Sequence, residues 1–180
     1  RTPRPSDFDD DLRRGLAVIA SRSESLARFT ESYARLARLP APSLSPVDVP
    51  ELVRRVTVLE ERHGVVVEPG PAVTLVADAT QLEQALINLI RNAVEASRET
   101  GGGVRLSWRV FGGALEILVE DEGLGLPTTA NLFVPFFSTK PGGSGIGLVL
   151  TRQIAEGHGG SLTLENRASR SGVCACLRIP

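Results

Sequence analysis

This sequence predicts an α/β sandwich: a mixed β-sheet covered on one face by three helices, with a long helix ahead of it. Three observations carry that expectation. Apolar residues recur at helical spacing in three separate stretches of residues 47–180. Short runs of period-two alternation stand between and after them. The segment "LPAPSLSP", residues 39–46, puts three prolines into eight residues just after a long helical pattern. The domain plan is therefore a helical unit at 1–38, a linker at 39–46 and one globular domain at 47–180, with helices packed on a sheet.

The bulk numbers agree with a packed domain. A chain with 42% hydrophobic residues, 23% charged residues and a net charge of −1 is neither disordered nor fibrous, and nothing in its charge demands nucleic acid. The longest apolar runs fall short of the roughly 18 residues that span a bilayer. The opening "RTPRPSDFDDD" also lacks the apolar stretch of a signal peptide. The expectation is a soluble, unsecreted, cytoplasmic chain.

Residues 8–38 read as one helix. Leu12, Leu16, Ile19, Ser23, Leu26, Thr30, Tyr33 and Ala37 follow a 4-3-4-3 spacing, and Val18, Phe29 and Leu36 widen the stripe, which suits a helical hairpin or bundle. One helix leaves such a stripe uncovered, so homodimerisation through Leu16, Ile19 and Leu26 is expected. After the linker, "VDVPELVRRVTVLEERHG" has Pro50 in its first turn and Gly64 after its end, and reads as a helix. His63 at that helix end is expected to be structural. "VVVE" and "VTLVA" read as strands. "DATQLEQALINLIRNAVEAS" is the strongest helix of the domain, with Leu82, Leu86, Leu89, Ile90 and Ala93 on one face and Asp78 or Thr80 as its cap.

"GVRLSWRV" and "ALEILVEDEG" flank a Gly-Gly turn and predict a hairpin. A glycine-rich segment, a helix at about 146–156 and the strands "SLTLEN" and "VCACLRI" complete the chain. His158, in the turn "EGHGG", reads as structural. Cys174 and Cys176 alternate on one strand face, where a disulfide would be strained, and read as small buried apolar residues in a reducing compartment.

Three places could carry chemistry. Asn88 and Asn92 lie one helical turn apart, on one face of the helix that carries the apolar stripe of the domain. Each amide either ties down a loop or meets a ligand, and amide oxygens suit Mg²⁺ shared with phosphates. Asp121 ends an apolar strand and runs into Gly123 and Gly125. A carboxylate there is either an acidic turn residue or an acceptor for an exocyclic amine such as that of adenine. Gly142, Gly143, Gly145 and Gly147 surround a helix start, which makes an anion site. The pattern is neither a P-loop nor a dinucleotide fingerprint. The chain has 19 Arg and a single Lys, Lys140, and that Lys sits in this loop. A compact ammonium on a flexible stem can follow a moving phosphate more readily than the planar fork of Arg.

In order, "NLIRNAVEA", "DEGLG", "LFVPFFSTK" and "GGSGIGLVL" resemble the asparagine, first glycine, phenylalanine and second glycine boxes of the sensor histidine kinases. These belong to the superfamily shared with gyrase, the Hsp90 chaperones and MutL, and the nitrogen-regulation branch is most similar. The resemblance covers roughly residues 47–180. It implies a Bergerat-type fold binding ATP and Mg²⁺ between the asparagine-box helix and a lid. By the same resemblance Asn92 would hold the metal, and Asn88 would act at the phosphates as a catalytic residue together with Lys140. Asp121 would bind the adenine amine in a pocket shaped by Gly123 and Gly125. Phe133, Phe136 and Phe137 would anchor the lid, with Phe136 bordering ATP. Gly143, Ser144, Gly145, Gly147 and Leu148 would meet the nucleotide around its phosphates.

The N-terminal helix resembles the second helix of the family's dimerisation and histidine-phosphotransfer hairpin. No His stands in or before it, so the expectation is a fragment that binds ATP and Mg²⁺ without phosphorylating itself. The resemblance implies that the intact kinase moves the γ-phosphoryl to a His and then to an Asp on a response-regulator receiver domain. Two departures follow. Cys174 stands where relatives often carry Thr or Ala near the adenine pocket, and Asn88 stands where gyrase-type relatives place a Glu that activates water. The alternatives are a nucleotide-binding regulatory module without transfer, or an ATPase or serine kinase of the same superfamily.

Overall fold

The computed structural model describes residues 8–37, 39–59, 64–126, 131–138, 144–168 and 170–180. The chain divides into two compact units, residues 1–38 and residues 39–180. His63 lies outside the described residues.

The first unit is helix α1, Phe8–Ala37, with Asp9, Asp10 and Asp11 in its first turn, where carboxylates meet the positive end of the helix dipole. Its apolar stripe is uncovered in the single chain: Leu12, Leu16, Ile19 and Leu26 are at least half exposed. No helix among the described residues is long and apolar enough to cross a membrane.

The second unit holds β1 (Ser45–Asp48), α2 (Val49–Leu59), β2 (Val65–Glu68), β3 (Thr74–Ala77) and α3 (Ala79–Arg98), followed by β4 (Val104–Phe111), β5 (Ala114–Asp121), α4 (Gly147–Gly157), β6 (Ser161–Asn166) and β7 (Val173–Ile179). Five strands form a sheet in the order β2-β4-β5-β7-β6. β2 runs parallel to β4, and the other neighbours are antiparallel, so the sheet is mixed. Helices α3 and α4 pack on this sheet and on each other, while α2 packs against α3. The two-layer sandwich expected from the sequence is therefore the observed architecture.

Helix α3 organises the core. Leu82, Leu86, Leu89 and Ile90 of α3 are buried, as are Leu106, Ile117 and Leu177 of the sheet, and each such side chain contributes about 1.5–3 kcal/mol by leaving water. Its cap is Asp78 rather than Thr80: the Asp78 carboxylate accepts from the Gln81 N–H at 3.1 Å. The other carboxylate oxygen accepts from the Ser43 N–H at 2.9 Å, while Gln81 Nε2 donates to the Pro40 carbonyl. The Ser43 amide is the main cause holding the Asp78 carboxyl below its ordinary value; the Gln81 and Thr80 amides add to it and partial burial opposes it. The proline-rich segment is thus docked on the helix start.

His158 completes this junction from the end of α4. Its Nε2 accepts from the Asp78 N–H at 3.0 Å, and its Nδ1 lies 2.7 Å from the Ile154 carbonyl, which assigns the proton to Nδ1. The ring joins α3 to α4 in a structural role.

The structure departs from the sequence expectation at β1. Residues 45–48 form a strand, antiparallel to β3, where the sequence suggests the end of a linker and a helix start. The pairing Val47↔Leu75 is non-local and buries both side chains, whereas "SPVD" alone is too short to signal a strand. The cysteines differ as well. Cys174 and Cys176 are half-buried rather than fully buried, on the sheet face away from the helices, and this partial burial, with nearby Glu120, pushes the Cys174 thiol up to about 11. On the same face Arg109 and Arg178 grip the buried Glu116, each at 2.8 Å, and the Arg109 guanidinium is the main cause lowering its carboxyl.

Candidate functional site

A cavity of about 420 Å³ opens between α3, the end of β5, the segment before α4 and the first turn of α4. Its walls follow from element geometry. Asn88 and Asn92 are one turn apart on α3 and both line it, since residues i and i+4 share a helix face. Asp121 lines it because it is the last residue of β5, the central strand of the sheet, which packs against α3.

Asp121 is 5% exposed, and its hydrogen bonding is asymmetric. Its Oδ1 accepts two backbone N–H groups, from Gly123 at 2.9 Å and from Val173 at 3.2 Å. No donor among the described residues reaches Oδ2. Asp121 lines the cavity, so this carboxylate oxygen is available to accept a hydrogen bond from a ligand there. The adjacent glycine makes room for this: a Cβ at Gly123 would stand 2.8 Å from the Ala96 carbonyl oxygen, so only Gly lets the turn lie against α3.

The opposite end is built by α4. Its N-cap, Ile146, makes no side-chain capping hydrogen bond, so no N-cap side chain occupies the first N–H groups of a helix whose first turn lines the cavity. Ser144, Gly145, Gly147 and Leu148 line this end. Asn88 is beside them, with its Oδ1 3.8 Å from where a Gly147 Cβ would be. The cavity thus has a polar acceptor at one end and amide side chains beside a helix N-terminus at the other.

Of the residues singled out in the sequence, the cavity brings together Asn88, Asn92, Asp121, Gly125, Ser144, Gly145, Gly147 and Leu148, with Gly123 directly behind. Lys140 and Gly143 lie outside the described residues. Phe137 lines the cavity and Phe136 does not. Phe136 instead adopts φ 66° and donates its backbone N–H to the Gly145 carbonyl at 3.1 Å. Phe133 is covered by the Arg152 guanidinium, 4.8 Å from the ring centre, a cation–π contact that ties this segment to α4.

Cys174 is corrected: it does not border the cavity, but its neighbours Val173 and Ala175 do. Side chains alternate along β7, so Cys174 must face the other side of the sheet. The sequence reading also missed Arg91, Glu95, Asn131 and Ser138, which line the cavity. The first two were signalled by helix spacing, three and seven residues after Asn88.

Comparison with known proteins points the same way. Residues 77–180 match the family described as histidine kinase-, DNA gyrase B-, and HSP90-like ATPase. The sensor histidine kinase TmoS of Ectopseudomonas mendocina is 30% identical over 184 residues, covering 94% of this chain and 19% of that protein. The nitrogen regulation protein NtrY of Azorhizobium caulinodans is 31% identical over 166 residues, covering 86% and 22%. The chain thus spans about a fifth of the length of these relatives. Full-length ShkA in complex with AMPPNP superposes with a TM-score of 0.74 at 25% identity, over 99% of this chain and 40% of that one. The histidine kinase ThkA in complex with the response regulator protein TrrA gives 0.74 at 26% identity, over 99% and 53%. With an unpaired carboxylate oxygen, an asparagine pair and a helix N-terminus around one cavity, the chain belongs to this ATPase family, and within it to the ATP-binding catalytic domains of sensor histidine kinases.

Proposed function

We propose that this chain binds ATP with Mg²⁺ in the cavity and, within a longer protein, delivers the γ-phosphoryl to a His supplied outside these 180 residues, and thence to an Asp of a response-regulator receiver domain. The observation that carries the reading is Asp121 Oδ2. It can accept the exocyclic amine of adenine while Oδ1 remains held by Gly123 and Val173. The triphosphate then extends along α3 towards the first turn of α4, where backbone N–H groups and Asn88 receive it. Gly143 and Lys140, outside the described residues, are proposed to act on the same phosphates through the chemistry of an amide N–H and an ammonium.

The donor set fits the metal. Among the described residues no group of three His, Cys, Asp or Glu side chains is placed to hold an ion alone, so Asn92 would share Mg²⁺ with phosphate oxygens, as that ion prefers. Bound there, Mg²⁺ would neutralise charge on the transferring group. Asn88 cannot take a proton from water, which favours transfer to a protein over hydrolysis.

Isothermal titration with AMPPNP tests the reading: binding with 1:1 stoichiometry that weakens at least 10-fold when Mg²⁺ is chelated is the expected outcome. Absence of binding with Mg²⁺ present overturns it. The uncovered stripe of α1 further supports assembly of two copies through Leu16, Ile19 and Leu26. Light scattering at high concentration is expected to give the dimer mass, falling to the monomer in Leu16→Glu; a monomer throughout sinks this part.

A further inference from the structure

Glu95 lines the same cavity, yet neither end of the proposed nucleotide asks for it. A carboxylate repels phosphate, and the adenine amine already has an acceptor in Asp121. Its placement suggests another partner. At about 100° per residue, Asn88, Asn92 and Glu95 fall within about 60° of one another on α3, so all three present to the cavity. The adenine end is marked where Gly123 closes on Ala96, the residue after Glu95. The phosphate end is marked where Asn88 meets Gly147, two turns earlier.

Helical side chains lean towards the helix N-terminus, which carries the Glu95 carboxylate from the level of Ala96 back towards Asn92. It therefore stands between the two ends. In a nucleoside triphosphate the group between base and phosphates is the sugar, and ribose offers two hydroxyl donors to a carboxylate. Glu95 is exposed, so this edge of the site is its open mouth. A carboxylate has about four lone-pair sites, so a protein contact leaves acceptor capacity for a hydroxyl.

We propose that Glu95 reads the sugar: its carboxylate accepts a hydrogen bond from a ribose hydroxyl and makes the site selective for ribonucleoside over deoxyribonucleoside triphosphates. This rests on the ATP reading of the cavity. Hydrogen bonds to charged groups are strong enough that the selectivity should reach about 10-fold.

The test is calorimetric titration of the 180-residue chain with ATP, 2′-deoxyATP and 3′-deoxyATP, repeated for Glu95→Ala and Glu95→Gln. The parent is expected to bind ATP about 10-fold more tightly than at least one deoxy analogue. Glu95→Ala should bring that ratio close to one, and Glu95→Gln, which keeps an acceptor oxygen, should hold it in between. The ratio is read within each variant, so a general loss of stability or a change in phosphate repulsion cancels. Equal binding of all three nucleotides by the parent overturns the inference while leaving the ATP reading intact, as does a ratio that survives in Glu95→Ala. Failure of the parent to bind ATP at all overturns the ATP reading and the inference with it.

Discussion

Asp121→Asn is expected to weaken binding of an ATP analogue by about 10- to 100-fold, with a thermal midpoint near that of the parent. The asymmetry of the carboxylate gives the reason. The Gly123 and Val173 N–H groups require an oxygen at Oδ1, so an Asn in this place orients its carbonyl towards them and its amino group towards the cavity. The variant keeps the two backbone hydrogen bonds, and with them the turn after β5. The side facing the ligand turns from acceptor to donor, opposite the exocyclic amine. A hydrogen bond to a charged group is worth about 1.5–3 kcal/mol, and donor facing donor adds to that loss. Calorimetry with AMPPNP and a parallel melting curve separate the two effects. Parent-like affinity would mean that Oδ2 does not hold the base, and a collapsed midpoint would mean that the carboxylate serves the fold first.

Gly145→Ala is expected to damage both the fold and the site, lowering the thermal midpoint by about 4–10 °C and nucleotide affinity by more than 10-fold. Gly145 has φ 64°, and a Cβ there would stand 2.6 Å from the Phe136 carbonyl carbon and from the Phe137 carbonyl oxygen. These are backbone atoms and cannot swing aside. Left-handed backbone costs a residue with a Cβ roughly 1–2 kcal/mol before any clash is counted. The partner of Gly145 across the Phe136 N–H bond, Phe136 itself, has φ 66°, which is unusual for a bulky residue. Both sides of this crossing are left-handed, so the segment carrying Phe137 and Ser144 to the cavity has little room to adjust. A variant with parent-like melting and binding would show that the crossing does not support the site.

Much of the second unit was legible because its signals are local. The face of α3 is written in Leu82, Leu86, Leu89 and Ile90, its start in the pair Asp78 or Thr80, and the β4–β5 hairpin in the two glycines between alternating strands. Part of the lining of the candidate site was legible for a related reason. Asn88 and Asn92 share a helix face by spacing alone, and the glycines of the second box mark the start of α4. The four boxes in order then supplied the family, which the match over residues 77–180 bears out.

What the sequence by itself determined, then, is the set of elements and the chemistry each can offer, since both depend on residues a few positions apart. Tertiary structure decided what those elements meet. That residues 45–48 pair with β3 depends on a partner some thirty positions away, so no local pattern announced it. That Val173 and Ala175 face the cavity while Cys174 faces the opposite side depends on the register of β7 against β5, where a slip of one residue would reverse them. That Phe137 rather than Phe136 reaches the cavity follows from the left-handed turn forced at Phe136. And the division of labour within Asp121, one oxygen held by the backbone and the other turned to the cavity, exists only because Val173 is brought beside it from 52 residues away.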